Sequence, residues 1–300
     1  MQKILLIYNP VAGTATFKDR LDEFIELLQK KNFAVTVYRT RKEKHCDQLE
    51  FLLRENEFSK VIVSGGDGTV SKVLQAMQTS SGSIPLAILP SGTSNDFARH
   101  IGMGEDLEAN VEIITQGETI NLDVGQINDN YFINVVSIGS LPSIAHKTAT
   151  LYKNNLGALA YYLKGIGQVP AFKPFDVTLE FNGKQVSQKA FLILVLNSGC
   201  AGGFKRLAPK ASLSDGLFDI LLIKDCNLGD KLSLFLKVLK GEHDSDHRLE
   251  YFQTERVKIS GDKSVDTDVD GEQGPDLPID ISFCKKVPLI VNKNKEAMPK

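Results

Sequence analysis

The sequence has no tryptophan and only four cysteines among its 300 residues. The cysteines are scattered along the chain: Cys46, Cys200, Cys226 and Cys284. Without a Cys-x-x-Cys pair they favour reduced thiols over a disulfide framework or a zinc site. No apolar run approaches the roughly 18 residues of a membrane-spanning helix, and the strand pattern that directly follows Met1 and Gln2 argues against a signal peptide. We therefore expect a cytoplasmic protein.

The charge is nearly balanced, with 35 lysines and arginines against 37 aspartates and glutamates, which gives a formal net charge of −2. A strong basic excess is absent, so we do not expect nucleic acid as the main partner. Hydrophobic residues make up 42% of the chain, which is enough at this length to fill two cores. Two domains are therefore expected.

The pattern of apolar residues changes near residue 120. Before this point, strand patterns such as Lys3–Tyr8 and Ala34–Tyr38 alternate with amphipathic helical patterns. After it, short alternating strands dominate, and Asp176–Phe181 is followed by Asn182-Gly183, a strong hairpin signal. The pattern predicts an N-terminal α/β domain to about residue 123 and a mainly-β C-terminal domain.

Three predicted strands of the first domain each end in a polar or glycine-rich loop that leads into a helix. The loops contain Asn9-Pro10-Val11-Ala12-Gly13, Gly65-Gly66-Asp67-Gly68-Thr69 and Pro90-Ser91-Gly92-Thr93-Ser94-Asn95. Glycines let the backbone approach a phosphate, and the free amides at a helix N-terminus favour an anion. The three loops therefore predict a phosphate-binding crevice at one edge of the sheet.

Asp67 is the unusual member of these loops. A carboxylate repels phosphates unless it holds a metal ion or handles a proton. The structural alternative is that Asp67 only caps the following helix.

The three motifs Asn9-Pro-x-x-Gly13, Gly65-Gly66-Asp67-Gly68-Thr69 and Leu89-Pro90-x-Gly92-Thr93-x-Asn95-Asp96-Phe97 together resemble the catalytic domain of the diacylglycerol kinase family, in its bacterial soluble branch. The resemblance implies an α/β fold: an N-terminal Rossmann-like nucleotide-binding domain of the NAD kinase and phosphofructokinase type, followed by a C-terminal β-sandwich. The first domain would comprise residues 1–123, with residues 288–300 packing back on it. The lipid-acceptor domain would comprise residues 124–287.

The resemblance further implies an enzyme that uses ATP and Mg²⁺. Thr40, at the end of the strand Ala34–Tyr38, joins the expected nucleotide contacts. The expected ATP-binding residues are Asn9, Pro10, Gly13, Thr40, Gly65, Gly66, Gly68, Thr69, Thr93 and Asn95.

The segment Val265–Gly274 of the second domain carries four acidic residues at alternate positions. An EF-hand interpretation fails because position 12 of the loop is Leu277 instead of glutamate, and an acidic hairpin loop is the structural alternative. The resemblance assigns Asp270-Gly271-Glu272 to the reacting hydroxyl, with Glu272 as the base. Position alone does not separate Glu272 from Asp270, so both join Asp67 as candidate catalytic residues.

A second motif, Pro209-x-Ala211-x-x-x-Asp215-Gly216, has a parallel in the same family. The resemblance implies a Mg²⁺ ion there, away from the phosphates, held by Asp215 and the backbone carbonyls of Ser212 and Leu217. A structural turn is the alternative interpretation. The two histidines of Glu242–His247 have no evident third ligand, and we expect a solvated turn there.

The resemblance implies an ATP-dependent lipid kinase, with diacylglycerol as the acceptor and phosphatidic acid as the product, although the residues themselves do not fix which lipid alcohol is used. Gly-Gly-Asp-Gly alone would also fit a soluble small-molecule kinase of the NAD kinase type, and a catalytically silent lipid or nucleotide sensor is the third hypothesis. The apolar face and nearby lysines of the region 156–165 suggest transient contact with a membrane surface, although a helix packed on the β-domain would show the same pattern. The sequence leaves a homodimer open.

Overall fold

The fold was analysed in a computed structural model of the chain. The structure describes residues 1–41, 46–55, 57–79, 83–92, 95–139, 174–199, 207–227, 229–230, 233–234, 237, 242–243, 246–284 and 286–293. The predicted amphipathic segment 156–165 and the expected ATP ligand Thr93 lie outside these residues. No helix in the described part is long and apolar enough to cross a membrane.

The chain divides into two compact units. The first comprises Met1–Val124 together with the C-terminal segment from Cys284, and the second comprises Gly125–Phe283.

The first unit is built on a six-stranded sheet. Its strands are β1 (Gln2–Tyr8), β2 (Phe33–Arg39), β3 (Lys60–Gly65), β4 (Leu86–Pro90), β5 (Glu118–Leu122) and β17 (Val287–Val291). They lie side by side in the order β2-β1-β3-β4-β17-β5. Its helices are α1 (Leu21–Lys30), α2 (Cys46–Glu55), α3 (Asp67–Thr79), α4 (Asp96–His100) and α5 (Leu107–Gln116). All strand pairs are parallel except β17 with β5.

Continuous apolar runs form the inner strands of this sheet. Ile4–Ile7 and Val61–Val63 are fully buried, as expected for parallel strands that are covered on both faces. Strand β17 lies between β4 and β5, with Leu289 opposite Leu86 on one side and Ile120 on the other. An interior strand of the first unit is thus supplied by residues that follow the second unit in sequence.

The second unit is dominated by antiparallel β-structure. Its strands are β6 (Gly125–Ile127), β7 (Asn130–Phe132), β8 (Val135–Gly139), β9 (Phe175–Phe181), β10 (Lys184–Leu196), β11 (Phe218–Lys224), β12 (Leu249–Thr254), β13 (Arg256–Gly261), β14 (Thr267–Val269), β15 (Glu272–Gln273) and β16 (Ile279–Phe283). The predicted hairpin is confirmed: Asn182 and Gly183 join β9 to β10 with φ angles of +49° and +70°. Positive φ at both central residues is the type I′ geometry that matches the twist of the strands.

The core of the second unit is filled by aliphatic side chains and stacked phenylalanines. Phe218 stacks on Phe283 with ring centroids 3.7 Å apart, and its ring centroid lies 5.6 Å from that of Phe132. The alternation of buried and exposed residues along β9 and β13 directs one side of each strand into this core. The fold class predicted from the sequence, an α/β nucleotide-binding domain followed by a β-sandwich, is confirmed.

Candidate active site

The loops that follow β1, β3 and β4 lie at one edge of the first sheet. These three strands are consecutive neighbours and run parallel, with Tyr8 opposite Ser64 and Gly65 opposite Pro90. Their carboxyl ends therefore meet at the same edge, which is where open α/β sheets bind ligands. Thr40 follows the adjacent strand β2, and its amide donates to the carbonyl of Tyr8 at 2.9 Å.

Asn9 ties the first loop to the second. Its side-chain amide donates to Thr69 Oγ1 at 3.0 Å, and its backbone amide donates to the carbonyl of Ser64 at 2.9 Å. The Asn9 side-chain oxygen accepts from the amide of Val11 at 3.1 Å, which closes the turn containing Pro10. The side chain and the backbone of Asn9 thereby link the first loop to the second.

Gly13 brings the first loop against the third. It has a φ angle of +53°, and a Cβ atom there would lie 2.5 Å from the carbonyl oxygen of Ser91. Both the left-handed backbone and the close approach require glycine.

The second and third loops touch through Gly66 and Gly92. A Cβ atom on Gly92 would lie 2.6 Å from the Cα of Gly66, whereas one on Gly66 would meet Gly92 Cα at an ordinary 3.6 Å. Asn95 holds Gly92 with two hydrogen bonds, from the Gly92 amide at 2.7 Å and to its carbonyl at 2.9 Å. Ser64 Oγ also donates to Ser91 Oγ at 3.0 Å.

Asp67 is the first residue of α3, and Gly68 and Thr69 follow it in the first turn. The amides of Thr69 and Val70 both donate to the carbonyl of Gly66, at 2.9 and 3.1 Å. The positive end of the helix dipole therefore lies where the loops converge, which suits an anion. The described residues of the predicted ATP site are thus brought together in one unit.

The other two candidate catalytic residues lie in a hairpin of the second unit. Strand β14 pairs with β15, and Asp270 and Gly271 form the two-residue turn between them, with φ angles of +50° and +88°. Glu272 is exposed and comes directly after the turn. Asp270 is buried and accepts three backbone hydrogen bonds. The two acids, which the sequence could not separate, therefore have different surroundings.

The predicted magnesium turn is also in the second unit. Asp215 is exposed, and its Oδ1 accepts from the amide of Leu217 at 3.0 Å. Within the described residues no three His, Cys, Asp or Glu side chains form a metal-binding group. The predicted site contains a single carboxylate and two backbone carbonyls, Ser212 and Leu217, and hard oxygen donors of this kind suit Mg²⁺.

Asp219, which sequence reasoning missed, lies near this turn. Its side chain is buried, and its Oδ1 accepts hydrogen bonds from the hydroxyl of Tyr251 and, at 3.1 Å, from Gln253 Nε2. Burial, together with the negative charge of Asp215, raises the pKa of Asp219 to about 6 despite these hydrogen bonds. The signal in the sequence was an aspartate inside the apolar strand β11.

The prediction of a solvated turn at 242–247 is wrong for His243 and Asp246, whereas Glu242 and His247 are exposed as expected. His243 is buried, and its Nε2 lies 2.9 Å from the carbonyl oxygen of Leu207. Asp246 is also buried and pairs with Arg248, Nη2 to Oδ2, at 2.6 Å. These polar residues are buried because an ion pair and backbone hydrogen bonds compensate for their loss of water.

Comparison with known proteins covers nearly the whole chain. Residues 3–127 match the diacylglycerol kinase catalytic domain, and residues 134–292 match the YegS C-terminal NAD kinase beta sandwich-like domain. The chain is 31% identical to a diacylglycerol kinase of Bacillus subtilis (strain 168) over 297 residues, 98% of each protein. It is 30% identical to a diacylglycerol kinase of Staphylococcus saprophyticus over 273 residues, covering 91% of this chain and 90% of that protein.

A solved structure gives the same result for the fold. The crystal structure of a diacylglycerol kinase from Bacillus anthracis str. Sterne superposes with a TM-score of 0.78 at 25% identity, covering 97% of this chain and 98% of that one. Two matched domains and relatives aligned over almost the full length show that this chain belongs to the diacylglycerol kinase family of lipid kinases.

Proposed function

We propose that the protein transfers the γ-phosphate of ATP to the hydroxyl of a lipid alcohol, with diacylglycerol as the acceptor and phosphatidic acid as the product. The main support is the convergence of three loops at the edge of the first sheet, in a chain related to proteins named diacylglycerol kinases. The proposal includes a cytoplasmic protein that contacts a membrane surface transiently, because a water-insoluble acceptor is reached at a bilayer.

The convergent loops fit a nucleoside triphosphate. A Cβ atom at Gly66 would make an ordinary contact of 3.6 Å with Gly92 Cα, and without a side chain there the backbone is open to the approach of a phosphate. The amides at the start of α3 would donate to phosphate oxygens, and Asn9 and Asn95 hold the loops in place. Mg²⁺ bound with ATP would neutralise phosphate charge, and Asp67 is the proposed residue of this chain that orients it.

Glu272 is the proposed general base. An exposed carboxylate at the start of β15 can take the proton of the lipid hydroxyl as its oxygen bonds to the γ-phosphorus. The bond from that phosphorus to the oxygen bridging the β-phosphate breaks, which leaves ADP and the phosphorylated lipid. A positioned base typically contributes about 10²–10⁴-fold, with the remainder coming from positioning and charge stabilisation.

The decisive experiment is incubation with labelled ATP, Mg²⁺ and a panel of acceptors: diacylglycerol, ceramide and sphingosine in mixed micelles, and NAD in solution. We expect label in phosphatidic acid alone. Label in phosphorylated NAD would support the NAD kinase alternative, and ATP binding without transfer to any acceptor would support a silent sensor.

The matched variant for this experiment is Glu272→Gln, which keeps the size of the side chain and removes its basic oxygen. We expect turnover about 10²–10⁴-fold lower and an unchanged affinity for ATP. Full activity of Glu272→Gln would contradict the assignment of the base, even where label appears in phosphatidic acid.

A further inference from the structure

Both carboxylate oxygens of Asp270 accept hydrogen bonds from the backbone at the beginning of strand β8. Oδ2 accepts from the amide of Ile133 at 2.8 Å, and Oδ1 accepts from the amides of Asn134 at 3.0 Å and Val135 at 2.9 Å. The backbone amide of Asp270 donates back to the carbonyl of Val135 at 3.0 Å. Four hydrogen bonds thus join one turn residue to a segment more than 130 positions earlier in the chain.

The same segment is held on its other side by the end of β10. The side-chain amide of Asn197 donates to the carbonyl of Ile133 at 3.1 Å, and its backbone amide donates to the carbonyl of Asn134 at 2.9 Å. Ser198 Oγ donates to the side-chain oxygen of Asn134. Asn134, Asn197, Ser198 and Asp270 are all buried. Hydrogen bonds from Asn197 and Ser198 on one side and from Asp270 on the other therefore hold residues 133–135 between two elements.

The turn fixes the backbone at Glu272. A two-residue type I′ turn sets the hairpin register, with Glu272 opposite Val269, and Val269 packs against the core of the unit. The amide of Gly271 also donates to Asp268 Oδ1 at 2.9 Å. A shift of register by one residue would send the Glu272 side chain to the opposite face.

We infer that Asp270 is a positioning residue that fixes the direction of the Glu272 carboxylate and does not itself accept the substrate proton. Both of its oxygens accept backbone hydrogens, whereas a general base must present an oxygen to the substrate hydroxyl. The inference deepens the proposed function and rests on it. It separates the roles of two acids that are adjacent to the same glycine.

The first test does not depend on activity. In Asp270→Asn, one oxygen becomes an NH₂ group that cannot accept from an amide. We expect hydrogen exchange at least about tenfold faster in peptides covering 133–135 and 268–273, with the exchange of β9 and β13 unchanged. The matched control is Asp262→Asn, which removes a carboxylate that accepts the amide of Ser264 in another turn of the unit and should leave both peptides unchanged. Unchanged exchange in Asp270→Asn would overturn the inference.

The second test is a double-mutant cycle in lipid phosphorylation. We expect Asp270→Asn to lower kcat about 10- to 100-fold with an unchanged KM for ATP, and to cause less than about a threefold further loss when Glu272 is already Gln. An equal loss in both backgrounds would show that Asp270 acts independently of Glu272 and would overturn the inference. A wild-type protein that phosphorylates no lipid alcohol would instead contradict the proposed function, and the hydrogen exchange would still decide whether Asp270 fixes the turn.

Discussion

Gly66 and Gly92 face each other across two loops, but only one of them has room for a side chain. At Gly66 a Cβ atom would make an ordinary contact, whereas at Gly92 it would lie 2.6 Å from a backbone carbon. We expect Gly66→Val to raise the Kd for ATP at least tenfold by filling the phosphate space, with a melting temperature within about 2 °C of the wild type. We expect Gly92→Ala to lower the melting temperature by several degrees because the loops must separate. Calorimetric titration and thermal unfolding measure the two effects, and normal ATP affinity of a folded Gly66→Val would place the nucleotide elsewhere.

A second prediction at this scale concerns the buried Asp246. Hydrogen bonds from the Arg248 side chain, supported by Lys237, hold the pKa of Asp246 far below its ordinary value near 3.8. Between the two pKa values the unfolded chain binds more protons than the folded one, so this stabilisation is present above about pH 4 and is lost as the pH falls. We expect Asp246→Asn to cost about 3 kcal/mol at pH 7 and to flatten the loss of stability between pH 5 and pH 3. Urea unfolding across this range measures both.

The control for this prediction is Asp129→Asn, which changes an exposed aspartate in the turn between β6 and β7. It should keep the wild-type pH dependence and change stability by less than about 0.5 kcal/mol. If the stability of Asp246→Asn fell with pH as steeply as that of the wild type, groups other than Asp246 would be responsible for the loss of stability in acid.

At the scale of elements, the packing of the first sheet depends on strand β17. Leu289 is fully buried between two neighbouring strands. We expect Leu289→Ala to cost about 2–5 kcal/mol, as large-to-small changes in a packed core do, and to weaken ATP binding because β4 carries the third loop. Val37→Ala on the edge strand β2, where the side chain is 39% exposed, should cost less than about 1 kcal/mol. A cost of Leu289→Ala as small as that expected for Val37→Ala would show that the sheet does not depend on β17.

Local patterns predicted the elements that have a local cause. The strands near Lys3, Ala34 and Asp176 and the Asn182-Gly183 turn are confirmed. Burial on two faces, alternation and turn chemistry all depend on neighbouring residues, so a local pattern can predict them. Strand β12 was missed because its four inner residues are all half-buried, so that no alternation marks it.

The parts of the site that the sequence could not supply depend on distant partners. The glycines and Asn9 were found because their loops follow recognisable strands. The contacts of Asp270 with Ile133–Val135 join residues over 130 positions apart, and no local rule pairs them. The burial of His243 likewise depends on the carbonyl of Leu207, so a polar stretch was interpreted as solvated.

At the scale of the whole molecule, the two aspartates proposed to act on magnesium belong to different units. We expect Asp67→Ala to abolish lipid phosphorylation while the metal content of the isolated protein is unchanged. We expect Asp215→Ala to lower bound metal, measured by elemental analysis after gel filtration, and to reduce thermal stability. Equal losses of turnover with no change in bound metal in either variant would argue for one magnesium site.

The placement of β17 has a consequence for the newborn chain. Strands β1 to β5 leave the ribosome first, but the gap between β4 and β5 stays open until the whole second unit has been synthesised. Domains usually fold in order from the N-terminus during translation, yet here the first sheet is completed only by residues that follow the second unit. We therefore expect a chain that ends anywhere in the second unit to carry the three loops on a sheet that lacks the strand between β4 and β5.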